Sequence, residues 1–175
     1  MSYDPSKSAL TALSPKTRPN AELIRFFDGS FEDINPRSVK ILDFGAGKGR
    51  HAQAIRELGY TVYSYDPYNG SADVDPLEAV SSVTPRRNSR FGVVFTAFVL
   101  NVVDYDTMLS ILETTEHYTR KGGYTVHAVR EDLRRLKGGS EISGKGSIQR
   151  DIPVQQLVDL GYTRMGKLFV KQKVN

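Results

Sequence analysis

Three glycines at alternate positions, Gly45, Gly47 and Gly49, follow an acidic residue, Asp43, at the end of a short apolar run. Glycine lets the backbone turn sharply and approach a ligand without interference from a Cβ atom. A helical pattern begins directly after the turn, and a helix N-terminus offers free N–H groups and a positive dipole end to a carboxylate or phosphate. The pattern therefore predicts a turn, between a strand and a helix, that binds part of a ligand.

Asp66 is the second residue whose type and place suggest chemistry. It follows an apolar segment, Thr61–Tyr65, that is predicted to be the next strand. It comes roughly 20 residues after the glycine turn, the separation expected between such a turn and a ribose-binding acid. A carboxylate suits that task because it accepts hydrogen bonds from both ribose hydroxyls. The alternative left open is a β-α-β unit whose glycines only allow close packing of helix on strand.

The glycine spacing, Gly45-x-Gly47-x-Gly49 with Asp43 ahead of it, differs from the G-x-G-x-x-G fingerprint of dinucleotide-binding proteins. It resembles the first motif of class I S-adenosylmethionine-dependent methyltransferases. In that family the turn passes under the methionine part of the cofactor, and the acid after the second strand holds the ribose hydroxyls. The resemblance implies these roles for Gly45, Gly47 and Asp66, with S-adenosylmethionine as the cofactor.

Further members of the expected cofactor site follow from the same resemblance and from the predicted fold. Many family members carry an acid beyond the second strand that binds the adenine amine, and Asp73 is the candidate here. Ligands of open α/β sheets bind beyond the carboxyl ends of the strands, which adds Phe98 at the end of a later strand. The full expected set is Asp43, Gly45, Ala46, Gly47, Asp66, Pro67, Asp73 and Phe98.

Asn101 is the first candidate on the side of the methyl acceptor. It takes the polar place in Thr96–Val103, a segment similar to the one that ends the fourth strand in many small-molecule methyltransferases. An amide donates and accepts, so Asn101 is expected to position a substrate hydroxyl or amine; capping of a turn is the alternative. The Asn/Asp-Pro-Pro-aromatic motif of amino-methylating DNA enzymes is absent, and the chain has no cysteine for cytosine-C5 methylation.

A long glycine-rich segment, Glu131–Asp151, carries the remaining acceptor-side candidates. With the residues just before it, this segment resembles a set of small methyltransferase-like proteins from bacteria and phages. The resemblance implies that Arg130, Lys145 and Gln149 face the active site, and we expect the segment to close over an anionic or polar acceptor. The alternative is a solvated loop with ordinary surface charge. His127, in the preceding strand, is interpreted as a core histidine in preference to a general base.

The elements that must position these residues alternate between strand and helix patterns. They predict an α/β fold, a Rossmann-like three-layer sandwich with a mostly parallel sheet and a C-terminal antiparallel hairpin. A polar arm, residues 1–20, is expected to precede one methyltransferase-like domain, residues 21–175. The predicted strands cover residues 39–44, 61–65, 91–98, 124–129, 162–165 and 168–172. The predicted helices cover residues 21–27, 50–58, 75–83, 106–119 and 153–161.

Composition narrows the class of protein. The chain has 175 residues, 39% hydrophobic and 25% charged, which is typical of a globular chain with a real core. It has no cysteine, which excludes disulfides. Its three histidines are scattered along the sequence, so a zinc site is not expected. No apolar run reaches the roughly 20 residues of a membrane span, so no membrane partner is expected and a cytoplasmic location is favoured.

These patterns together predict an S-adenosylmethionine-dependent methyltransferase. Its acceptor is a small molecule or nucleotide; the net charge of +4 permits a nucleic-acid partner without arguing for one. Transfer of a sulfonium methyl group depends mainly on positioning, so the lack of an evident base is no strong objection. A nucleotide-dependent enzyme of another class and a non-catalytic cofactor-binding module on the same fold stay open as alternatives. The sequence leaves the oligomeric state undetermined.

Overall fold

A computed structural model describes residues 4, 6–7, 11–12, 16–29, 38–70, 80–130, 140–142, 146–152 and 154–174. Four α-helices occur in these residues: α1 (Ala21–Gly29), α2 (Arg50–Glu57), α3 (Tyr105–Tyr118) and α4 (Val154–Asp159). The first five strands are β1 (Lys40–Phe44), β2 (Thr61–Tyr65), β3 (Val80–Ser81), β4 (Phe91–Ala97) and β5 (Thr119–Ala128). They are followed by β6 (Ser140–Ile142), β7 (Ile148–Arg150), β8 (Thr163–Met165) and β9 (Leu168–Gln172).

Seven strands form the main sheet, in the order β3-β2-β1-β4-β5-β9-β8. The five strands from β3 to β5 run parallel, whereas β9 pairs antiparallel with both β5 and β8. The carboxyl ends of the parallel strands therefore meet at one edge of the sheet. This topology confirms the expected α/β sandwich with its C-terminal antiparallel hairpin.

Hydrophobic side chains cover the sheet on both faces. Helices α1 and α2 contribute Leu23, Phe27 and Ile55 to one cluster, which includes Ile41 and Phe95 of the central strands. A second cluster on the other face contains residues of α3, α4 and β9, namely Met108, Leu112, Leu157 and Phe169. Successive residues of a strand point to opposite faces, so a continuous apolar run such as that in β4 serves both layers.

The region before β4 differs from the sequence prediction. A helix was expected over residues 75–83, but Val80 and Ser81 form the edge strand β3. They pair with Ser64 and Tyr65 of β2, and the Asp66 N–H donates to the Ser81 carbonyl. The backbone N–H and C=O groups of this segment find hydrogen-bond partners along the open edge of β2, and the β-branched Val80 favours an extended backbone. The segment therefore forms a strand in place of the predicted helix. The expected start of that helix, at residues 75–76, lies outside the described residues.

The end of α3 also differs from the prediction. Gly122 and Gly123 were expected to stop the helix ahead of a strand at Tyr124, but β5 already begins at Thr119. A Cβ atom at Gly123 would lie 2.6 Å from the Gly92 carbonyl oxygen, so this glycine allows two strands to approach closely. At the other end, α3 begins at Tyr105, and its N-cap is Asp104, with the Thr107 N–H donating to the Asp104 carboxylate at 2.8 Å.

Residues 131–151 are not one uninterrupted loop. Strands β6 and β7 form an antiparallel pair within this segment, with Glu141 opposite Gln149. Residues 131–139 and 143–145 lie outside the described residues. Within the part of the chain that is described, no helix has the length and apolar character needed to cross a membrane.

Candidate functional site

A cavity of about 880 Å³ lies at the carboxyl edge of the parallel strands. It brings together most of the residues that the sequence singles out. Those expected on the cofactor side are Gly45, Ala46, Gly47, Asp66, Pro67 and Phe98, and those on the acceptor side are Asn101, Arg130 and Gln149. Asp43 does not line the cavity, and Asp73 and Lys145 lie outside the described residues.

The glycine turn after β1 has a backbone that favours glycine. Gly45, Gly47 and Gly49 have φ angles of +81°, +59° and +76°. The N–H groups of Gly45 and Ala46 both donate to the Tyr65 carbonyl, at 2.8 and 3.0 Å, which fixes the turn to the end of β2. A Cβ atom at Gly45 would lie 2.5 Å from Val99 Cγ2, so the close approach of Val99 also requires glycine there.

The Asp66 carboxylate joins this turn to the turn after β2. Its Oδ2 accepts a hydrogen bond from the Gly47 N–H at 2.9 Å. Its Oδ1 accepts from the N–H groups of Tyr68 and Asn69 at 2.9 and 3.0 Å. The side chain is nearly buried but belongs to the cavity wall. Asn69 Nδ2 also donates to Oδ1, at 3.4 Å, whereas Oδ2 accepts the bond from Gly47 alone among the described residues. Since a carboxylate oxygen has two acceptor positions, Asp66 keeps capacity for a ligand at Oδ2 while it orders both turns.

Asp43 lies behind the turn rather than in the cavity wall, which corrects the expected direct contact with a cofactor. Its carboxylate is buried, and the Ala52 N–H of α2 is among the groups that favour its ionised form. Within the described structure its Oδ2 has no hydrogen-bond partner. Burial raises the pKa of Asp43 to about 8, against the opposing attraction of Arg56. Asp43 therefore connects β1 to the first turn of α2 and supports the glycine turn from behind.

Phe98 lines the cavity in a backbone conformation that is unusual for its type. Its φ is +64°, and no other non-glycine residue in the described part of the chain has a positive φ. This conformation costs on the order of 1–3 kcal/mol, and the surrounding structure must enforce it. The Phe98 N–H donates to the Ala128 carbonyl at 2.8 Å, which fixes the exit of β4 against the end of β5. The strain thus places an aromatic residue at the cavity wall.

His51 is a cavity residue that the sequence analysis did not single out. It stands in the first turn of α2, and its Nε2 accepts a hydrogen bond from the Asn20 N–H at 3.2 Å. Burial lowers the pKa of His51 to about 3, so the ring is neutral, with its proton on Nδ1. The place of this histidine directly after the glycine turn was the signal that could have identified it.

The N-terminal segment packs against the same region. Arg50 donates from Nη1 to the Arg18 carbonyl at 3.1 Å, and Thr11 and Ala12 line the cavity. A Cβ atom at Gly47 would lie 3.2 Å from the Ala12 Cβ. The segment therefore covers the glycine turn closely.

The side-chain amide of Asn101 forms hydrogen bonds with main-chain groups. Its Nδ2 donates to the carbonyls of Arg130 and Arg150, at 2.9 and 2.7 Å. Its Oδ1 accepts from the Arg130 N–H at 2.8 Å, and the side chain is 1% exposed. These bonds tie the exits of β4, β5 and β7 together. The geometry favours the alternative, a turn-stabilising amide, over the expected contact with an acceptor.

His127 is a core histidine. It is fully buried, with Nδ1 2.8 Å from Thr96 Oγ1 and Nε2 3.2 Å from the Tyr162 hydroxyl. Burial lowers its pKa to about 3, and it does not line the cavity. It therefore has no access to a substrate.

Arg164 and Lys167 are basic cavity residues that the sequence analysis did not single out. The Arg150 guanidinium lies over the Tyr105 ring, 5.3 Å from its centroid, and Arg150 does not line the cavity. Arg164 of β8 and Lys167 of the turn after it do line the cavity, together with Arg130. Nothing in the local sequence marks them, because the antiparallel return of β9 is what brings them to this edge.

Comparison with protein-family models identifies one family. A family model described as a methyltransferase domain matches residues 9–153, which is most of the chain. Among proteins of curated function, none matches the sequence significantly.

Solved structures share the fold at low sequence identity. One is the Burkholderia thailandensis 1,6-didemethyltoxoflavin N1-methyltransferase, with a TM-score of 0.60, 18% identity, and coverage of 87% of this chain and 79% of that chain. Another is the sugar N-methyltransferase KedS8 from a Streptoalloteichus species, with a TM-score of 0.64, 12% identity, and coverage of 91% and 90%. The glycopeptide N-methyltransferase MtfA, complexed with sinefungin, has a TM-score of 0.56, 15% identity, and coverage of 84% and 91%. The sequence match over residues 9–153 establishes that the chain belongs to the methyltransferase domain family.

Proposed function

We propose that the protein transfers the methyl group of S-adenosylmethionine to a nucleophilic atom of a small-molecule acceptor. The observation that carries this proposal is the hydrogen bond between the Gly47 N–H and the Asp66 carboxylate. It joins the glycine turn after β1 and the acid after β2 in one cavity wall, in a chain of the methyltransferase domain family. Binding of such a cofactor needs both elements, the glycine turn for its amino-acid end and the acid for its ribose.

The residues present fit the cofactor. The left-handed turn at Gly45 and Gly47 exposes main chain without Cβ atoms, and the N-terminus of α2 follows it with its positive dipole end. Asp66 would accept from the ribose hydroxyls, and Pro67 and Phe98 would border the nucleoside. The cavity of about 880 Å³ falls in the range of 300–1,000 Å³ typical of small-molecule sites, at its upper end, which leaves room for an acceptor.

The bound cofactor supplies a sulfonium methyl group that is already activated for displacement. The contribution of the chain is then to hold the acceptor in line with that methyl group and to exclude water. His51 is neutral, and its Nε2 is engaged by Asn20, so it acts as a fixed wall of the cavity. The proposal accordingly assigns the protein a positioning role and assigns no residue as a general base.

The class of acceptor is proposed from the shape of the site and from the structural relatives. The acceptor half of the cavity is lined by residues of α3, of the segment that follows β5, and of β8 and the turn after it, a concave space suited to a small molecule. The relatives named above include enzymes that methylate nitrogen atoms of a toxoflavin precursor and of a sugar. A small molecule with a nitrogen or oxygen nucleophile is therefore the acceptor class that we favour.

Binding calorimetry tests the proposal, with S-adenosylhomocysteine and NAD as competing ligands. We expect saturable binding of S-adenosylhomocysteine and none of NAD; the reverse preference would indicate a nucleotide-dependent enzyme of another class. Release of S-adenosylhomocysteine during incubation with S-adenosylmethionine and a small-molecule extract separates an enzyme from a non-catalytic binding module.

A further inference from the structure

The cavity has a basic end that lies away from the glycine turn. Strand β9 runs antiparallel to β5, with Leu168 opposite Ala128. The turn that precedes β9 therefore lies beside the exit of β5, where Arg130 is found. Arg130, Arg164 and Lys167 all line the cavity there, and all three side chains are exposed to solvent at its mouth. We call these three residues the basic rim.

The described residues that line the cavity include more cationic than anionic side chains. Among the described residues that line it, Lys48, Arg50 and the basic rim are cationic, and Asp66 is the carboxylate. Asp66 already accepts main-chain hydrogen bonds from two turns. The nearby Glu22 carboxylate accepts from the Lys167 main-chain N–H and does not line the cavity. The acceptor end is therefore bordered by three positive charges, and Asp66, the carboxylate among the described lining residues, lies at the other end, beside the glycine turn.

An apolar wall faces the same space. Val103, Ile111 and Val129 line the cavity next to the basic rim, and Gln149 adds an amide. Arginine presents a planar fork of N–H donors that matches a carboxylate or phosphate, whereas valine and isoleucine side chains favour a hydrocarbon body. The two features together suit a molecule with an apolar body and an anionic group at one end.

We infer that the methyl acceptor is an anion, a molecule with a carboxylate or phosphate group held by Arg130, Arg164 and Lys167 and an apolar body against α3. This inference rests on the proposed methyl transfer, because it concerns the second substrate of the same site. The anionic group would fix one end of the acceptor at the basic rim, so that the nucleophilic atom lies toward the glycine turn. Selectivity then depends on charge at the mouth of the cavity.

Calorimetry on protein saturated with S-adenosylhomocysteine tests the inference with three probes. They are 4-hydroxybenzoate, phenyl phosphate and the neutral 4-hydroxybenzamide, which separate carboxylate, phosphate and uncharged forms of a similar body. We expect at least one anionic probe to bind roughly tenfold or more tightly than the amide, with an affinity that falls as salt is added. Which anion binds better identifies the carboxylate or the phosphate class.

Single substitutions assign the effect to residues. Arg130→Gln and Lys167→Gln should each weaken the anionic probe about three- to tenfold and leave the neutral probe unchanged. The Arg130 substitution keeps the main-chain bonds to Asn101, so the fold is retained. Arg86→Gln is the control, because Arg86 is exposed in the loop before β4, at the opposite edge of the sheet. Binding of both anionic probes no tighter than that of 4-hydroxybenzamide, no binding of any probe, or no effect of either substitution overturns the inference. The affinity for S-adenosylhomocysteine, measured first, reports on the proposed function separately.

Discussion

The Gly47 N–H donates a hydrogen bond of 2.9 Å to Asp66 Oδ2, across 19 residues of sequence. This bond connects the turn after β1 with the turn after β2 at the carboxyl edge of the sheet. A single carboxylate thereby sets the relative position of the two segments proposed to bind the cofactor. Disturbing either residue should affect both the order of the site and the binding of S-adenosylhomocysteine.

Replacement of Asp66 by alanine should weaken the binding of S-adenosylhomocysteine about tenfold or more, because roughly 1–3 kcal/mol is lost when the ribose hydroxyls have no acceptor. It should also lower the melting temperature, since the N–H groups of Gly47, Tyr68 and Asn69 lose their acceptor. Calorimetry below the melting temperature measures the affinity. Asp106→Ala, at an exposed acid of α3, is the control; equal affinities of the two variants would remove Asp66 from the site.

Replacement of Gly47 by valine should abolish binding of S-adenosylhomocysteine. The φ of +59° strains a β-branched residue, and the new side chain would press against Ala12 at the cavity wall. Gly59→Val provides a matched control, because Gly59 has φ of +94° with no neighbouring atom within 4 Å and lies outside the cavity. Both variants should lose stability, roughly 1–2 kcal/mol from strain, and the account fails if Gly47→Val binds as well as Gly59→Val.

Replacement of Asn101 by alanine should destabilise the fold by roughly 2–4 kcal/mol, since three hydrogen bonds to buried main-chain groups are lost. Urea denaturation measures this change. The affinity for S-adenosylhomocysteine should stay within about twofold, because the amide faces main chain and not a ligand. An Asn101→Ala variant of unchanged stability but impaired turnover would instead restore the role in acceptor positioning.

The stability of the protein should fall as the pH rises from 6.5 to 8, through the ionisation of Asp43. A carboxyl whose pKa is raised to about 8 in the folded state stabilises the fold at low pH and loses that contribution as the pH rises through this value. Burial lowers the pKa values of His51 and His127 to about 3, so their contribution to stability rises with pH. That rise ends near pH 6.5, the ordinary pKa of histidine, and does not affect the range from pH 6.5 to 8. Asp43→Asn should flatten the profile between pH 6.5 and 8 in chemical denaturation; a parallel slope in both proteins would contradict the assignment.

The sequence predicts the cofactor half of the site better than the acceptor half, for a physical reason. The glycine turn and Asp66 lie within one β-α-β unit, so local patterns of strand, turn and helix suffice to bring them together. The bonds of Asn101 to Arg130 and Arg150, and the approach of Lys167 to the exit of β5, depend on the order of strands in the sheet. The edge strand at Val80 has the same origin, since only the free edge of β2 makes it a strand.

The crystal structure of the complex with S-adenosylhomocysteine tests the central claim most directly. The account predicts that the ribose hydroxyls lie within hydrogen-bond distance of the Asp66 carboxylate and that the amino-acid part lies over the turn from Gly45 to Gly47. The thioether sulfur should then face the end of the cavity bordered by Arg130. A ligand bound elsewhere, or bound in this cavity with its ribose away from Asp66, would contradict the account.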